Sequence, residues 1–345
     1  MADDVVGPVD GLEVPRFAGL ATFARLPFRE RVADFSIAVV GIPFDAGTTY
    51  RPGARFGPAH IREASRLLKP YHPYLEATPF GAQQVVDAGD ITCNPFDIAS
   101  AIGQIEQGAA SLIGEGRRRL VALGGDHTVA LPLLRAVSRA AGPVALVHFD
   151  AHLDTWNTYF GAPYTHGTPF RRAAEEGLFA PDRSIHVGIR GSLYAATDLS
   201  DDAGLGFQII HATEFDRFGS AAIVERIRER VGNSPVYVSV DIDVLDPAHA
   251  PGTGTPSVGG LSSRELLTTL RGLRGLALAG ADVVEVAPAY DHAQLTGVAA
   301  AEVVYELITL MSLDDPSSRQ GASSQNSGAP SRGPHTHTGG GTSER

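Results

Sequence analysis

An Asp-x-His-x-Asp run at the exit of an apolar strand constrains this chain more than any other feature. Residues 144–154 read VALVHFDAHLD. Residues 144–149 are mostly apolar on both faces, the pattern of a central strand covered on both sides. Asp150, His152 and Asp154 follow at every second position, so an extended chain points all three side chains the same way. Unpaired buried carboxylates are costly, and acids placed there need a compensating cation. The bland alternative for this stretch alone is a helix cap and a polar loop.

Two further stretches argue against that alternative. Residues 123–128, LGGDHT, follow the apolar run 120–123 and place His127 at another strand exit. Residues 236–243, VYVSVDID, end a third apolar strand with Asp241 and Asp243, again spaced by two. In open α/β sheets the carboxyl edge of the strands is where sites are built. Together the three stretches supply two imidazoles (His127, His152) and four carboxylates (Asp150, Asp154, Asp241, Asp243). This oxygen-rich set suits manganese or another hard-to-borderline dication better than a structural zinc. Four carboxylate charges balance two dications, with Asp150 and Asp241 each positioned to bridge both.

GGDHT, FDAHLD and SVDIDVLDPAHAPGTGTP resemble the three signature segments of the ureohydrolase family, which includes arginase and agmatinase. The resemblance runs over residues 16–313, and YRPGARFGP, YTHGTPFR and VEVAPAYD are most similar to bacterial agmatinase-type sequences. It implies two Mn2+ ions per subunit, nickel or cobalt being the alternatives. His127, Asp150, Asp154 and Asp241 would hold one ion, and Asp150, His152, Asp241 and Asp243 the other. It further implies hydrolysis of a guanidino group by a water activated between the ions, aimed by Asp154. His166, in YTHGTP, occupies the position of the proton shuttle. Glu285, in VEVAPAYD, matches the carboxylate that receives the guanidinium through paired, charge-assisted hydrogen bonds. Thr255 matches a residue of the substrate channel. The family resemblance also implies a homo-oligomer, trimer or hexamer. A non-catalytic relative kept as a metal-binding or assembly module would be expected to lose a bridging aspartate or the shuttle histidine. Here all eight positions are filled.

The far end of the substrate is read from the loop TWNTYFGAPYTHG. Trp156 stands where the resemblance to arginase places an asparagine that holds the substrate carboxylate. An indole offers a π face that suits an ammonium. That points to agmatine, hydrolysed to putrescine and urea. Asn157, one position on, keeps 4-guanidinobutanoate as the main alternative. A related amidine or formimino compound is a third, differing only in how its far end is held. His148 lies on the same strand face as Asp150 but outside the family's ligand positions, and reads as a satisfied core histidine. The Gly-Gly of LGGDHT lacks the lysine and glycine spacing of a phosphate loop.

The chain has 345 residues, 43% hydrophobic and 19% charged, enough to bury a sizeable core. A net charge of −11 and a pI near 5.5 argue against nucleic-acid and anionic-membrane partners. The single cysteine, Cys93, fits a reducing, cytoplasmic compartment. The first 15 residues lack a signal-peptide pattern, and no stretch is expected to reach the ~18 apolar residues of a membrane span. Strands are expected at 35–41, 84–87, 120–123, 144–149, 184–189, 207–211, 236–241 and 282–286. Helices are expected at 58–68, 97–113, 128–141, 168–176, 221–231, 262–273 and 298–313, the sixth opened by a Ser262/Glu265 capping box. This alternation predicts an α/β fold with a mainly parallel, about eight-stranded sheet. A closed barrel is the alternative by count, and the resemblance favours an open three-layer α/β/α sandwich. The expected organisation is an N-terminal arm at 1–27, a catalytic domain at 28–313 and a disordered tail at 314–345, whose His335 and His337 read as solvent-exposed.

Overall fold

Each predicted apolar run forms a strand, and every pairing between those strands is parallel. This computed structural model describes residues 5–116 and 118–313, and the tail at 314–345 lies outside them. The strands are β1 (Ile37–Gly41), β2 (Val85–Asp90), β3 (Arg119–Leu123), β4 (Ala145–Phe149), β5 (Ser184–Ile189), β6 (Phe207–His211), β7 (Val236–Asp241) and β8 (Leu278–Val284). Their order is β2-β1-β3-β8-β7-β4-β5-β6. β2 and β6 are edges, so the sheet is open and the barrel does not form. The helices are α1 (Gly57–Ala64), α2 (Pro79–Ala82), α3 (Ile98–Ile113), α4 (Ala130–Ala141), α5 (Pro169–Glu175), α6 (Thr197–Gly204), α7 (Thr213–Val231), α8 (Ser263–Gly272) and α9 (Leu295–Leu313).

Side chains alternate across a strand, and each face of the sheet carries its own core. Ile37 and Val39 of β1 pack with Ile61 of α1, Ile227 of α7, Leu266 of α8 and Val304 of α9. Ala38 and Val40 pack with Ile105 of α3, Leu134 of α4 and Phe170 of α5. The sheet is therefore sandwiched between helix layers. Asp97 caps α3 by accepting from the Ala99 and Ser100 amides, and the Ser262/Glu265 capping box forms at α8.

Several elements depart from the sequence reading: the short α2 is not among the expected helices, and α7 begins at Thr213, before the expected 221. The helix α6, TDLSDDAG, is missing from the expected elements because its residues carry no apolar period. β8 starts at Leu278, before the expected 282, since the small residues of LAGA are stranded beside β7. α9 corrects the expectation that no stretch could span a membrane. Its 19 residues are long and apolar enough by length and composition, but 78% of its apolar window is buried against the rest of the fold.

Residues 5–27 run irregularly to a 3₁₀ turn at Phe23–Arg25, where Phe23 is fully buried. Asp87 at the sheet edge accepts from the Phe23 amide at 2.7 Å. Arg62 of α1 grips the same carboxylate with two bonds, at 2.9 and 3.0 Å, and reaches Asp90 at 2.6 Å. Asp87 is wholly buried, so removing its cation strands a charge. Arg62→Met is expected to destabilise the chain by about 3–5 kcal/mol, read as a lower urea midpoint. A loss under about 1 kcal/mol would contradict this account.

Candidate active site

Four neighbouring strands, β3, β8, β7 and β4, release the predicted site residues at one edge of the sheet. After β3 the chain passes Gly125, where a Cβ would fall 1.6 Å from the Phe44 carbonyl oxygen. The Gly-Gly is thus a packing requirement. Asp126 then caps the turn His127–Val129, accepting from the Thr128 amide at 3.0 Å and the Gly47 amide at 2.7 Å.

The candidate ligands fall into two groups. His127 Nδ1 lies 2.9 Å from Asp154 Oδ2, 3.2 Å from Asp150 Oδ2 and 3.4 Å from Asp241 Oδ2. His152 Nδ1 lies 3.3 Å from Asp150 Oδ1 and 3.2 Å from Asp243 Oδ2. Asp150 thus gives one oxygen to each group, as a bridging ligand would. Asp241 Oδ2 faces the first group, and its Oδ1 accepts from the Asp243 amide at 2.9 Å, as Asp150 Oδ1 does from the His152 amide at 2.6 Å.

These residues fit divalent cations. His127 Nδ1 is buried and makes no aligned hydrogen bond despite its three carboxylate neighbours. Its Nε2 meets Ser239 Oγ at 2.9 Å, and that hydroxyl donates to Asp282 Oδ1 at 2.6 Å. Nε2 therefore carries the proton toward Ser239, and Nδ1 presents a lone pair to the carboxylates. Ligands at right angles about 2.1 Å from one ion lie about 3 Å apart, close to the observed spacing.

Charge balance agrees. Burial, then Asp243 and Asp150, push Asp241 well up, and burial with Asp150 raises Asp154. Burial raises Asp243 to about 6 although His152 opposes it. Burial would lower His127 and His152, but the carboxylates outweigh it and raise both well above the usual imidazole range. Without cations, the cluster holds protons.

His148 sits with the first group, its Nε2 2.8 Å from Asp150 Oδ2. A carboxylate only accepts, so Nε2 donates and is not a cation ligand. His148 is fully buried with a partner on each ring nitrogen, a satisfied core histidine.

His166 and Glu285 meet behind the cluster. His166 Nδ1 lies 3.0 Å from Glu285 Oε1, which also accepts from the His127 amide at 2.8 Å. Glu285 Oε2 is buried without a partner. The Thr49 amide donates to His166 Nε2 at 3.1 Å, and the Thr49 hydroxyl lies 2.7 Å from it. Burial lowers the His166 pKa, but Glu285, Asp154 and Asp126 outweigh it and lift the ring to about 9. The Thr49 amide favours the neutral ring, Glu285 the charged one, and a rotating hydroxyl serves either. Asp154 and Glu285 have φ of +54° and +65°, strained for non-glycine residues by roughly 1–3 kcal/mol each.

A cavity of about 290 Å³ opens before the cluster, lined by His152, Asp154, His166, Asp241, Trp156 and Thr255 among others. Thr255 donates weakly to Asp243 Oδ2 at 3.4 Å. Glu285 is not among the lining residues and borders the cavity through His166, which is. Sequence reasoning missed Tyr159 and Tyr194, whose rings stand edge-on to Trp156 with centroids 5.8 and 5.9 Å away. It also missed Thr49, Asp126 and Arg190. Arg190 donates to the Asp243, Leu245 and Ser257 carbonyls and holds the turn bearing Asp243. The Thr49 loop, residues 43–58, carries one signal in the sequence: the family resemblance puts it near the site mouth or a subunit contact, with a scaffold loop as the alternative.

Residues 35–309 match the sequence model of the arginase family. The chain belongs to the arginase family. A guanidinopropionase from Pseudomonas aeruginosa is 46% identical over 312 residues, covering 90% of this chain and 98% of that protein. A mitochondrial agmatinase from Gallus gallus is 40% identical over 298 residues, covering 86% and 87%. The solved proclavaminate amidino hydrolase of Streptomyces clavuligerus superposes with a TM-score of 0.82 at 42% identity, covering 88% of this chain and all of that one. This is an arginase-like α/β fold, and the protein is an arginase-family binuclear metal hydrolase of guanidino compounds.

Cation binding to this cluster must displace the protons on His127 and His152. Affinity for Mn2+ is therefore expected to rise with pH through the neutral range, about tenfold per unit for each proton released. It should fall more steeply below about 6, where Asp243 also protonates. Calorimetry in buffers of different ionisation heat counts the protons, and none released at neutral pH would contradict the charge balance.

Proposed function

We propose that the protein hydrolyses agmatine to putrescine and urea, with two Mn2+ ions. The observation that carries this reading is the cavity wall. It presents the three aromatic rings of Trp156, Tyr159 and Tyr194, and among the described residues no lysine or arginine lines it. A far-end ammonium gains from the ring faces. A far-end carboxylate finds no lysine or arginine on the wall to pair with. Asn157, the residue that kept the acid alternative open, is engaged elsewhere, its Oδ1 accepting from Arg172 at 2.7 Å.

His127, Asp150, Asp154 and Asp241 would hold one ion, and Asp150, His152, Asp241 and Asp243 the other. When bound, the pair supplies a water acidified enough to attack at neutral pH and charge to stabilise the oxygen that forms. Asp154, its carboxylate on the cavity wall, accepts a hydrogen bond from the attacking water and aims it. Glu285 Oε2, buried and unpartnered, is an acceptor available to a guanidinium N–H. His166 gives the departing amine nitrogen its proton as the C–N bond breaks, and Glu285 and Thr49 keep the ring in place.

A second reading is hydrolysis of a guanidino acid. The Trp156 indole N–H is buried without a partner and could donate to a carboxylate, and the guanidinopropionase relative is named for such a substrate. One neutral donor is weak compensation for a full charge taken out of water.

A panel of agmatine, 4-guanidinobutanoate and 3-guanidinopropanoate, scored by kcat/KM in Mn2+-loaded protein, tests the choice. Agmatine is expected to lead, and Trp156→Ala to raise its KM roughly 2- to 30-fold. A guanidino acid turned over equally well or better would overturn the assignment. His166→Ala should lower kcat about 10²–10⁴-fold while Mn2+ affinity stays within a few-fold.

A further inference from the structure

Behind the candidate ligand Asp150 runs a chain of buried polar groups that the proposed chemistry does not use. His148 Nε2 meets Asp150 Oδ2 at 2.8 Å. His148 Nδ1 meets His186 Nδ1, on β5, at 2.7 Å. His186 Nε2 meets Asp202 Oδ1, on α6, at 3.1 Å, and the Thr155 hydroxyl donates to the same oxygen at 2.7 Å. His148, Asp150, His186 and Asp202 are fully buried, and Thr155 is 4% exposed. Buried polar groups strung between two strands and a helix are costly unless each is satisfied.

The direction of the chain follows from what each group can do. Ionised Asp150 cannot donate, so His148 Nε2 carries a proton toward it. At a 2.7 Å contact between two ring nitrogens, one must donate and the other accept. A hydrogen on His148 Nδ1 would make that ring a cation, next to a second imidazole and sealed from water. With His148 neutral and accepting at Nδ1, His186 donates from its own Nδ1. Asp202 accepts at the opposite nitrogen, so His186 carries hydrogens on both nitrogens and its charge is paired with the buried Asp202 carboxylate. Each link therefore sets the one before it.

We propose that His186 and Asp202 are positioning residues for Asp150, fixing which nitrogen of His148 carries the proton that orients the bridging carboxylate. The proposal rests on the reading that this cluster holds divalent cations. Neither His186 nor Asp202 lines the cavity, and His186 reaches Asp150 only through His148. Through Thr155 the same chain anchors the loop that carries Trp156. Partners at this remove from a metal typically alter its affinity about 10- to 100-fold when removed.

The test is Mn2+ binding by calorimetry to purified, metal-stripped full chain, comparing wild type, His186→Leu and His186→Asn. An asparagine amide nitrogen can take the place of the ring Nδ1 and donate to His148, whereas leucine cannot. His186→Leu is expected to bind Mn2+ about 10- to 100-fold more weakly, with His186→Asn recovering most of the loss. At saturating Mn2+ the KM of His186→Leu for its best substrate should stay near that of wild type, since no pocket contact is lost. Wild-type Mn2+ affinity in His186→Leu, or an equal loss in both variants, would overturn the proposal. If His186→Leu does not fold, Asp202→Ala takes its place: weaker binding is expected and unchanged binding overturns the proposal. A wild-type chain that binds no cation would sink the site reading and this proposal together. Binding by wild type with no loss in the variants would sink this proposal alone.

Discussion

Four carboxylates converge on a volume a few ångströms across and almost shut off from water, and the rest of the structure answers that constraint. Two unit charges 4 Å apart interact by about 4 kcal/mol even at an effective dielectric of 20. Several like pairs together rival the whole net stability of a domain. The repulsion is tolerable only if positive charge sits among them, as protons on His127 and His152 or as bound cations. The sheet supplies the rigid support. β3, β8, β7 and β4 are neighbours, parallel and covered on both faces, so their exits cannot drift apart. Strain at Asp154 and Glu285 is held by the same scaffold.

How much of this was legible in the sequence depends on whether one segment sufficed to specify it. The Asp-x-His-x-Asp run is local: period two on a strand exit places Asp150 and Asp154 beside His127 once β3 and β4 share an edge. Strands β5, β6 and β7 matched their expected bounds because apolar runs between polar turns leave little freedom. α6 was illegible for the opposite reason. TDLSDDAG is held by Asp198, which accepts from the Tyr194 and Ala195 amides, and by the burial of Asp202, whose partners lie 16 and 47 residues away. Strand order was equally hidden, since no local pattern says that β8 inserts between β3 and β7. α9 misleads in another way: a helix buried on nearly every side reads like one bound for lipid.

The resemblance assigns Asp150 and Asp241 to both ions, and each carboxylate is tied to its own turn. One oxygen of Asp241 caps the turn Ile242–Val244 by accepting the Asp243 amide, and the other faces His127. A carboxylate oxygen has two lone pairs, so one that accepts an N–H keeps a lone pair for a cation. Asp150 is held at both oxygens, by His148 at one and by the His152 amide at the other, at 2.8 and 2.6 Å.

That anchoring bears on how one fold serves several guanidino substrates. The reacting end of each is the same planar cation, and the groups that meet it lie on strand exits fixed by the sheet. On the proposed reading the far end would meet Trp156, Tyr159 and Tyr194, which lie on loops after β4 and β5. Loops accept substitution without disturbing the core. Relatives can therefore share 40% identity or more with this chain and still carry names for different substrates. Overall similarity mostly samples the sheet and its ligands, whereas on this reading selection among substrates falls to a few ring and amide groups at the mouth. What those groups offer an ammonium or a carboxylate would then decide which guanidine is accepted.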